Sequence, residues 1–292
     1  MPEIVRSVKR REPVSSPWQP LTGPLGAERA DLDFRNADTE ELHRALYDHK
    51  LLVLRNQALD PTAFTAAASR LGELDIYPYA EPVPGHPHVV AVVKEPEDES
   101  NFGGDWHTDT AYVPEPPAIT LLYAVEVPDA GGDTLFADAV RAFASCSEGL
   151  AATLRELTAH NTASLVHQPG AGYAGVTGQS VTLKEADRET EADHPLVIAH
   201  PETGREALFF SLIHTSHFTG MTRLESLPLL KALHAQVVAP ENVSRLHWQP
   251  GTLAIWDNRA VQHYPLNDYA GKRREMHRII LKGDRPAARP QA

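Results

Sequence analysis

Short apolar runs of strand length, set far apart along the chain and joined by long polar or helix-patterned stretches, restrict the fold more than any other feature. The clearest run is Ile119, Leu121, Tyr123, Val125 and Val127, alternating with Thr120, Leu122, Ala124 and Glu126. A period of two puts these sets on opposite faces of a strand, the pattern of a half-buried sheet. Leu51-Leu52-Val53-Leu54 reads as a buried strand and Val89 to Val93 as a short one. Thr252-Leu253-Ala254-Ile255-Trp256 reads as another, opened by the turn signal Gln249-Pro250-Gly251. Helical spacing lies between them. Leu42, Ala45 and Leu46 recur within Asp38 to Lys50, and Asp60-Pro61 opens a helix carrying Phe64, Ala67, Ala68 and Leu71. Asp138 caps a helix that includes Phe143, and Thr222-Arg223-Leu224-Glu225 is a capping box for one reaching to about Val238, with Pro228 early in it. Tyr77 to Pro87 is rich in proline and reads as a loop, and His86, Pro87 and His88 continue its irregular character. These elements predict a mainly β chain, an antiparallel sandwich or jelly roll with peripheral helices packed outside. Residues 1–25 read as a loosely ordered arm, 26–286 as a single domain and 287–292 as a tail, with no internal repeat.

At 292 residues the chain is long enough for one continuous core. One cysteine, Cys146, excludes an intrachain disulfide and suits a reducing compartment. Polar residues follow Met1-Pro2-Glu3-Ile4-Val5 directly, and no apolar segment approaches the ~18 residues of a membrane span. The expected location is cytoplasmic, without a membrane partner. A net charge of −12 with scattered acidic residues argues against nucleic acid as a partner. The expected partner is a small-molecule substrate, alongside further copies of the chain if it forms a dimer or tetramer.

The chemistry concentrates in two segments. In Gly103-Gly104-Asp105-Trp106-His107-Thr108-Asp109, an extended backbone aims His107 and Asp109 at one point, the first half of a 2-His-1-carboxylate triad that leaves three positions open on a non-haem iron. His263 follows a second strand, 154 positions after Asp109. Arg274 and Arg278 lie 11 and 15 residues beyond it. An iron oxygenase that consumes 2-oxoglutarate needs a cation for the distal carboxylate, and arginine supplies a bidentate one that stays charged when buried. Trp106, Trp256, Asp257, Asn258 and His277 read as structural, Tyr264 as a candidate to pack on a ligand imidazole, and His86, His88, His160, His167, His194, His200, His234 and His247 as surface or hydrogen-bonded residues.

His107-Thr108-Asp109, Gly131-Gly132-Asp133-Thr134-Leu135-Phe136, Trp256-Asp257-Asn258-Arg259 through His263, and Arg273-Arg274-Glu275-Met276-His277-Arg278 together closely resemble the taurine dioxygenase (TauD/TfdA) family, in register over about residues 30 to 286. The resemblance implies a double-stranded β-helix (jelly roll, clavaminate-synthase-like), with Fe(II), 2-oxoglutarate and O2 as reagents and succinate and CO2 as products. His107, Asp109 and His263 would be the iron ligands. Thr134 and Arg274 would bind the distal carboxylate of 2-oxoglutarate, and Arg278 would lie near its C1 end and within reach of an acidic substrate group. An intact Asp109 argues for oxygenation, since related halogenases replace this carboxylate with a small residue.

The same resemblance argues against taurine. Relatives that accept it carry asparagine where this chain has Gly103, a histidine in the loop where it has Tyr77, Pro78 and Tyr79, and an apolar aromatic residue where it has His214. Gly103 and Gly104 would leave extra room. The expectation is hydroxylation of a small, acidic substrate other than taurine, with fragmentation where a heteroatom sits on the oxidised carbon, and with Tyr79, Gly103, His214 and Arg278 as substrate contacts. A taurine or alkylsulfonate dioxygenase is the alternative. A zinc hydrolase would leave Arg274 and Thr134 without a task, and a non-redox metal-binding β-barrel predicts a missing ligand or arginine, which this sequence does not have.

Overall fold

The computed structural model describes residues 17–165 and 189–290. Residues 1–16 of the expected arm, His167, and residues 291–292 of the expected tail lie outside them. In chain order the elements are β1 (Gln19–Pro20), β2 (Ala27–Arg29), α1 (Thr39–His49), β3 (Leu51–Leu54), α2 (Pro61–Ala68), β4 (Pro82–Val83), β5 (His86–Lys94), β6 (Ile119–Glu126) and β7 (Thr134–Asp138). There follow α3 (Ala139–Ala144), α4 (Glu148–Arg155), β8 (Thr158–Thr162), β9 (Glu191–Pro195), β10 (Val197–Ala199), β11 (Glu206–Leu208) and β12 (Thr215–Phe218). The last are α5 (Arg223–Val237), β13 (Val243–Leu246), β14 (Leu253–Asp257), β15 (Val261–Pro265) and β16 (Arg274–Leu281).

Four helices start where the sequence says they should, and α4, capped by Ser147, is a fifth that the sequence reading did not mark. Asp38, Asp60 and Asp138 each accept backbone N–H bonds at an N-terminus, and Thr222 with Glu225 closes a reciprocal capping box. Pro228 is accommodated inside α5. Leu71 falls beyond α2, which ends at Ala68. No helix among the described residues is long and apolar enough to cross a membrane.

Eight strands form a major sheet in the order β1-β2-β3-β14-β6-β16-β5-β4, and β13-β7-β15 form a minor one. Together they make a double-stranded β-helix, the expected jelly roll. Alternation assigns the two faces of the major sheet. Leu52, Leu54, Leu121, Ile255 and Ile279 pack outward against Leu42, Leu46, Phe64 and Ala67 of α1 and α2. Leu51, Val53, Ala124, Ala254, Trp256 and Met276 point inward and meet Phe136, Leu246 and Val261 of the minor sheet. Outside the minor sheet, α3, α4 and α5 contribute Phe143, Leu154, Leu230 and Leu233 to a second apolar layer.

Three expectations change. β6 is not half-buried: helices cover one face and the minor sheet the other, so Thr120 and Ala124 are as buried as Leu121, whereas Val125, near the strand's end, is exposed. The strand expected at Val89 to Val93 begins at His86, because β16 and the short β4 provide backbone partners on both sides. Within the expected arm, Trp18 and Leu25 are buried in the core.

Phe64 is fully buried beneath α2, its ring 6.0 Å from that of Tyr123. Phe64→Ala is expected to cost ~3–5 kcal/mol in urea unfolding. A loss below about 1 kcal/mol would mean that the helical cover is not integral to the sheet.

Candidate active site

The inward face of this jelly roll carries polar residues at one end. Alternation along β16 puts Arg274, Met276 and Arg278 on that face, with the two arginines ~13 Å apart along the strand. Thr134 opens β7 and His263 is central in β15. His107 comes from the long β5–β6 connection and pairs with His263 through an isolated antiparallel bridge. His107 N–H donates to the His263 carbonyl at 3.0 Å and His263 N–H to the His107 carbonyl at 2.8 Å. The expected strand through residues 107–109 therefore reduces to this one bridge, with Asp109 already in a turn.

His107 Nε2 lies 3.7 Å and His263 Nε2 4.0 Å from Asp109 Oδ1. One donor atom from each residue falls within 4.8 Å of the others, the single such convergence of His, Cys, Asp or Glu among the described residues. The protonation states suit a divalent cation. His107 Nδ1 sits 2.7 Å from the Asp105 carbonyl oxygen, which can only accept, so that nitrogen carries the proton and Nε2 presents a lone pair. Burial pushes His263 well below its ordinary pKa, with His107 adding to the effect, and keeps it neutral, the form that could bind a metal. Its ring is held by packing, 4.8 Å from Trp256 and 6.0 Å from Phe136. For Asp109 burial acts upward, but Arg278 above all, with His107 and His263, holds the carboxyl well below the usual range.

Asp109 is clamped from its backbone outward. Its N–H donates to Asn258 Oδ1 at 2.8 Å, and Asn258 Nδ2 donates to the Asp109 and Pro117 carbonyls at 3.2 and 2.9 Å. Thr110 follows with φ at 43°, in the left-handed region that β-branched residues avoid. Asn258 thus does more than organise its own turn. Asp257 anchors that turn through Arg259 at 2.8 Å and His200 Nε2 at 2.7 Å, all three side chains being buried or nearly so.

Arg274 and Thr134 share one cavity with the triad and Arg278. Arg274 is 5% exposed, and its Nε and Nη2 have no partner among the described residues. Burial lowers its pKa, against the pull of Tyr269 and Asp133. A buried guanidinium with unpaired nitrogens is costly, and a carboxylate is the group that relieves it. Thr134 Oγ1 accepts from Trp248 Nε1 at 2.9 Å, so its own proton is directed elsewhere. These residues fit a dicarboxylate beside a metal ion. Arg278 is committed in part: its Nη2 is 2.9 Å from Asp109 Oδ2 and its guanidinium lies 4.7 Å from the centre of the Tyr77 ring. Burial pushes that phenol up to about 12, so Tyr77 remains uncharged.

The expected substrate contacts fare unevenly. Gly103 lines the cavity, but a Cβ there would fall 2.9 Å from His107 Cε1, so this glycine brings the backbone against the imidazole and opens no extra room. His214 is buried edge-on to His107 and Tyr112, with ring centres 6.0 and 5.0 Å away. Tyr79 is buried against Tyr77 and Tyr112 and is not among the residues that line this cavity; with Tyr77 it lines a separate one. Tyr264 packs on Trp106 at 5.8 Å, whereas Trp256 packs on the His263 imidazole. Phe102, Val92, Leu122 and Pro265 complete the apolar lining; their spacing in sequence carries no signal of it.

The profile described as "Taurine catabolism dioxygenase TauD, TfdA family" matches residues 18–280. The chain belongs to the TauD/TfdA family. It is similar to an alkylsulfatase of Acinetobacter baylyi, 31% identical over 277 residues covering 90% of this chain and 84% of that protein. It is also similar to an alpha-ketoglutarate-dependent sulfate ester dioxygenase of Pseudomonas putida, 32% identical over 283 residues and covering 91% and 89%. Among solved structures, a taurine dioxygenase from Burkholderia xenovorans superposes with a TM-score of 0.77 at 27% identity, over 93% of this chain and 90% of that one. As a TauD/TfdA member the chain is a 2-oxoglutarate-dependent dioxygenase, an oxidoreductase whose reagents are Fe(II), 2-oxoglutarate and O2.

The Asp257 anchor makes a pH prediction. Burial acts to raise the Asp257 pKa, but Arg259 and His200 overcome it and bring the carboxyl from 3.8 to about 2. A depressed carboxyl pKa stabilises the fold above the unfolded value and loses that contribution as pH falls through the folded one. The stability gap between the parent and Asp257→Asn is expected to narrow by about 2 kcal/mol from pH 4 to pH 2. Urea midpoints measured across that range check it, and a gap independent of pH would remove the carboxylate from this role.

Proposed function

We propose that the chain oxidises the carbon bearing the sulfur-linked group of a small alkyl sulfate ester or sulfonate other than taurine. His107, Asp109 and His263 would hold Fe(II), which supplies O2 activation coupled to oxidative decarboxylation of 2-oxoglutarate. Arg274 and Thr134 would take the distal carboxylate of 2-oxoglutarate. Arg278, on the same strand face, would orient the anionic group of the substrate, and Val92, Phe102 and Leu122 would shelter its carbon chain from water.

The observation that carries this reading is the pair of buried arginines in one cavity, of which Arg274 has nitrogens without a partner among the described residues. Arg274 can then hold the distal carboxylate of 2-oxoglutarate, while Arg278, near the C1 end of that co-substrate, stays within reach of a second anion. Hydroxylation of the carbon next to a sulfate ester oxygen gives a product that collapses to an aldehyde and inorganic sulfate. The sulfate-ester names of the Acinetobacter and Pseudomonas relatives favour that class. Taurine is disfavoured because its ammonium would meet one carboxylate among the described lining residues, Asp109, already paired with Arg278.

Two measurements test the proposal. With iron-loaded protein, medium-chain alkyl sulfates or sulfonates are expected to stimulate succinate formation, with release of sulfate or sulfite, and taurine is expected to leave it unchanged. Efficient sulfite release at micromolar taurine, or stimulation by sulfur-free acids alone, would overturn the substrate class. Arg274→Ala is expected to raise the KM for 2-oxoglutarate about 30-fold or more, the loss of ~2 kcal/mol or more of charge-assisted contact, with a much smaller change in substrate KM. Equal changes in both would assign the arginine a general structural role.

A further inference from the structure

The two oxygens of the Asp109 carboxylate have different surroundings. Oδ1 faces the imidazoles, 3.7 Å from His107 Nε2 and 4.0 Å from His263 Nε2. Oδ2 points away and is held twice, by the Thr120 hydroxyl at 2.6 Å and by Arg278 Nη2 at 2.9 Å. Thr120 is fully buried in β6, on the inward face and between Trp256 of β14 and Ile280 of β16 in register. Its position is set by two flanking strands rather than by the loop that carries Asp109.

We infer that Thr120 is a positioning residue for the metal centre: its hydroxyl pins Asp109 Oδ2, so the carboxylate meets a metal through Oδ1 alone. The inference rests on the proposed role of Asp109 as ligand. A carboxylate that swung to present both oxygens would fill one of the three sites that a facial triad leaves open, and those sites are what the co-substrate and O2 require. Arg278 makes the same contact but has a second task, since an anionic substrate competes for its guanidinium. Thr120 has no such competitor. It holds Oδ2 whether or not Arg278 is drawn toward a bound anion, and it contributes a hydrogen-bond proton without adding charge. The arrangement is the carboxylate counterpart of the Asp105 carbonyl that fixes the His107 tautomer.

The test uses Co(II) binding to the metal-free full chain under anaerobic conditions, followed by titration calorimetry and by the visible absorption of the bound ion. Thr120→Val removes the hydroxyl at nearly constant shape, and Thr120→Ser keeps it. Thr120→Val is expected to weaken Co(II) binding by fivefold or more, toward the ~10–100-fold typical of losing a partner to a metal ligand. It should also alter the absorption spectrum, whereas Thr120→Ser stays within fivefold with the parental spectrum. Thr120→Ala serves in place of the valine variant if the latter does not fold. A valine or alanine variant that binds within fivefold of the parent, or a serine variant as weak as the valine one, overturns the inference. A change in Tm with an unaltered isotherm and spectrum does the same, because it marks a role in packing only. Asp109→Ala separates the two levels: parental Co(II) binding by that variant defeats the ligand assignment itself, and its loss beside parental binding by Thr120→Val defeats the Thr120 inference alone.

Discussion

Everything at the centre of this protein depends on two backbone hydrogen bonds, those exchanged between His107 and His263. They attach an irregular connection to the regular ladder of the minor sheet, so a loop residue inherits the precision of a strand. The imidazole centroids lie 4.1 Å apart as a result. Asn258 extends the same device to the carboxylate by hydrogen-bonding both the N–H and the carbonyl of Asp109. Side chains of low helical or strand propensity can then sit where chemistry needs them, because the neighbouring backbone is already paired.

The cost of this arrangement is electrostatic. Asp109, Arg278, Arg274, Asp257 and Arg259 all lie largely out of water, where an unpaired charge is strongly disfavoured. Pairing meets that cost in two of three cases: Asp109 with Arg278, and Asp257 with Arg259 and His200. Arg274 is the exception: it lines the cavity with Thr134, and its Nε and Nη2 have no partner among the described residues. Beside those two paired carboxylates, the departure at Arg274 is a mark of what the cavity receives.

Legibility in the sequence follows the range of the interactions. Caps at Asp38, Asp60, Asp138 and Thr222 act within three residues, so those helix starts could be read locally. The spacing of His107, Asp109, His263, Arg274 and Arg278 was legible because strands fix where alternate side chains point and because the motifs recur in the family. What escaped reading depends on partners far away in the chain. The full burial of β6 needs helices on one face and a second sheet on the other, whereas its own alternation says only that one face is apolar. Asn258 and Thr120 act on Asp109 across 149 and 11 positions, and nothing in a single polar residue announces such a contact. Tyr264 and Trp256 exchange expected roles for a similar reason: neighbouring strands set which aromatic ring meets His263.

Gly103 has a consequence for how such an enzyme could change its preferences. With φ at 81° and a Cβ position 2.9 Å from His107, the backbone at this point is wedged against the imidazole. A side chain acquired here would displace the histidine before it reached a substrate. A larger residue at this place therefore requires the loop or the imidazole to move. Elsewhere the cavity is lined by side chains, Phe102, Val92 and Leu122 among them, whose size can be changed without a Cβ being added against His107. At this wall of the pocket the glycine leaves no inward room, because the backbone itself already meets the imidazole.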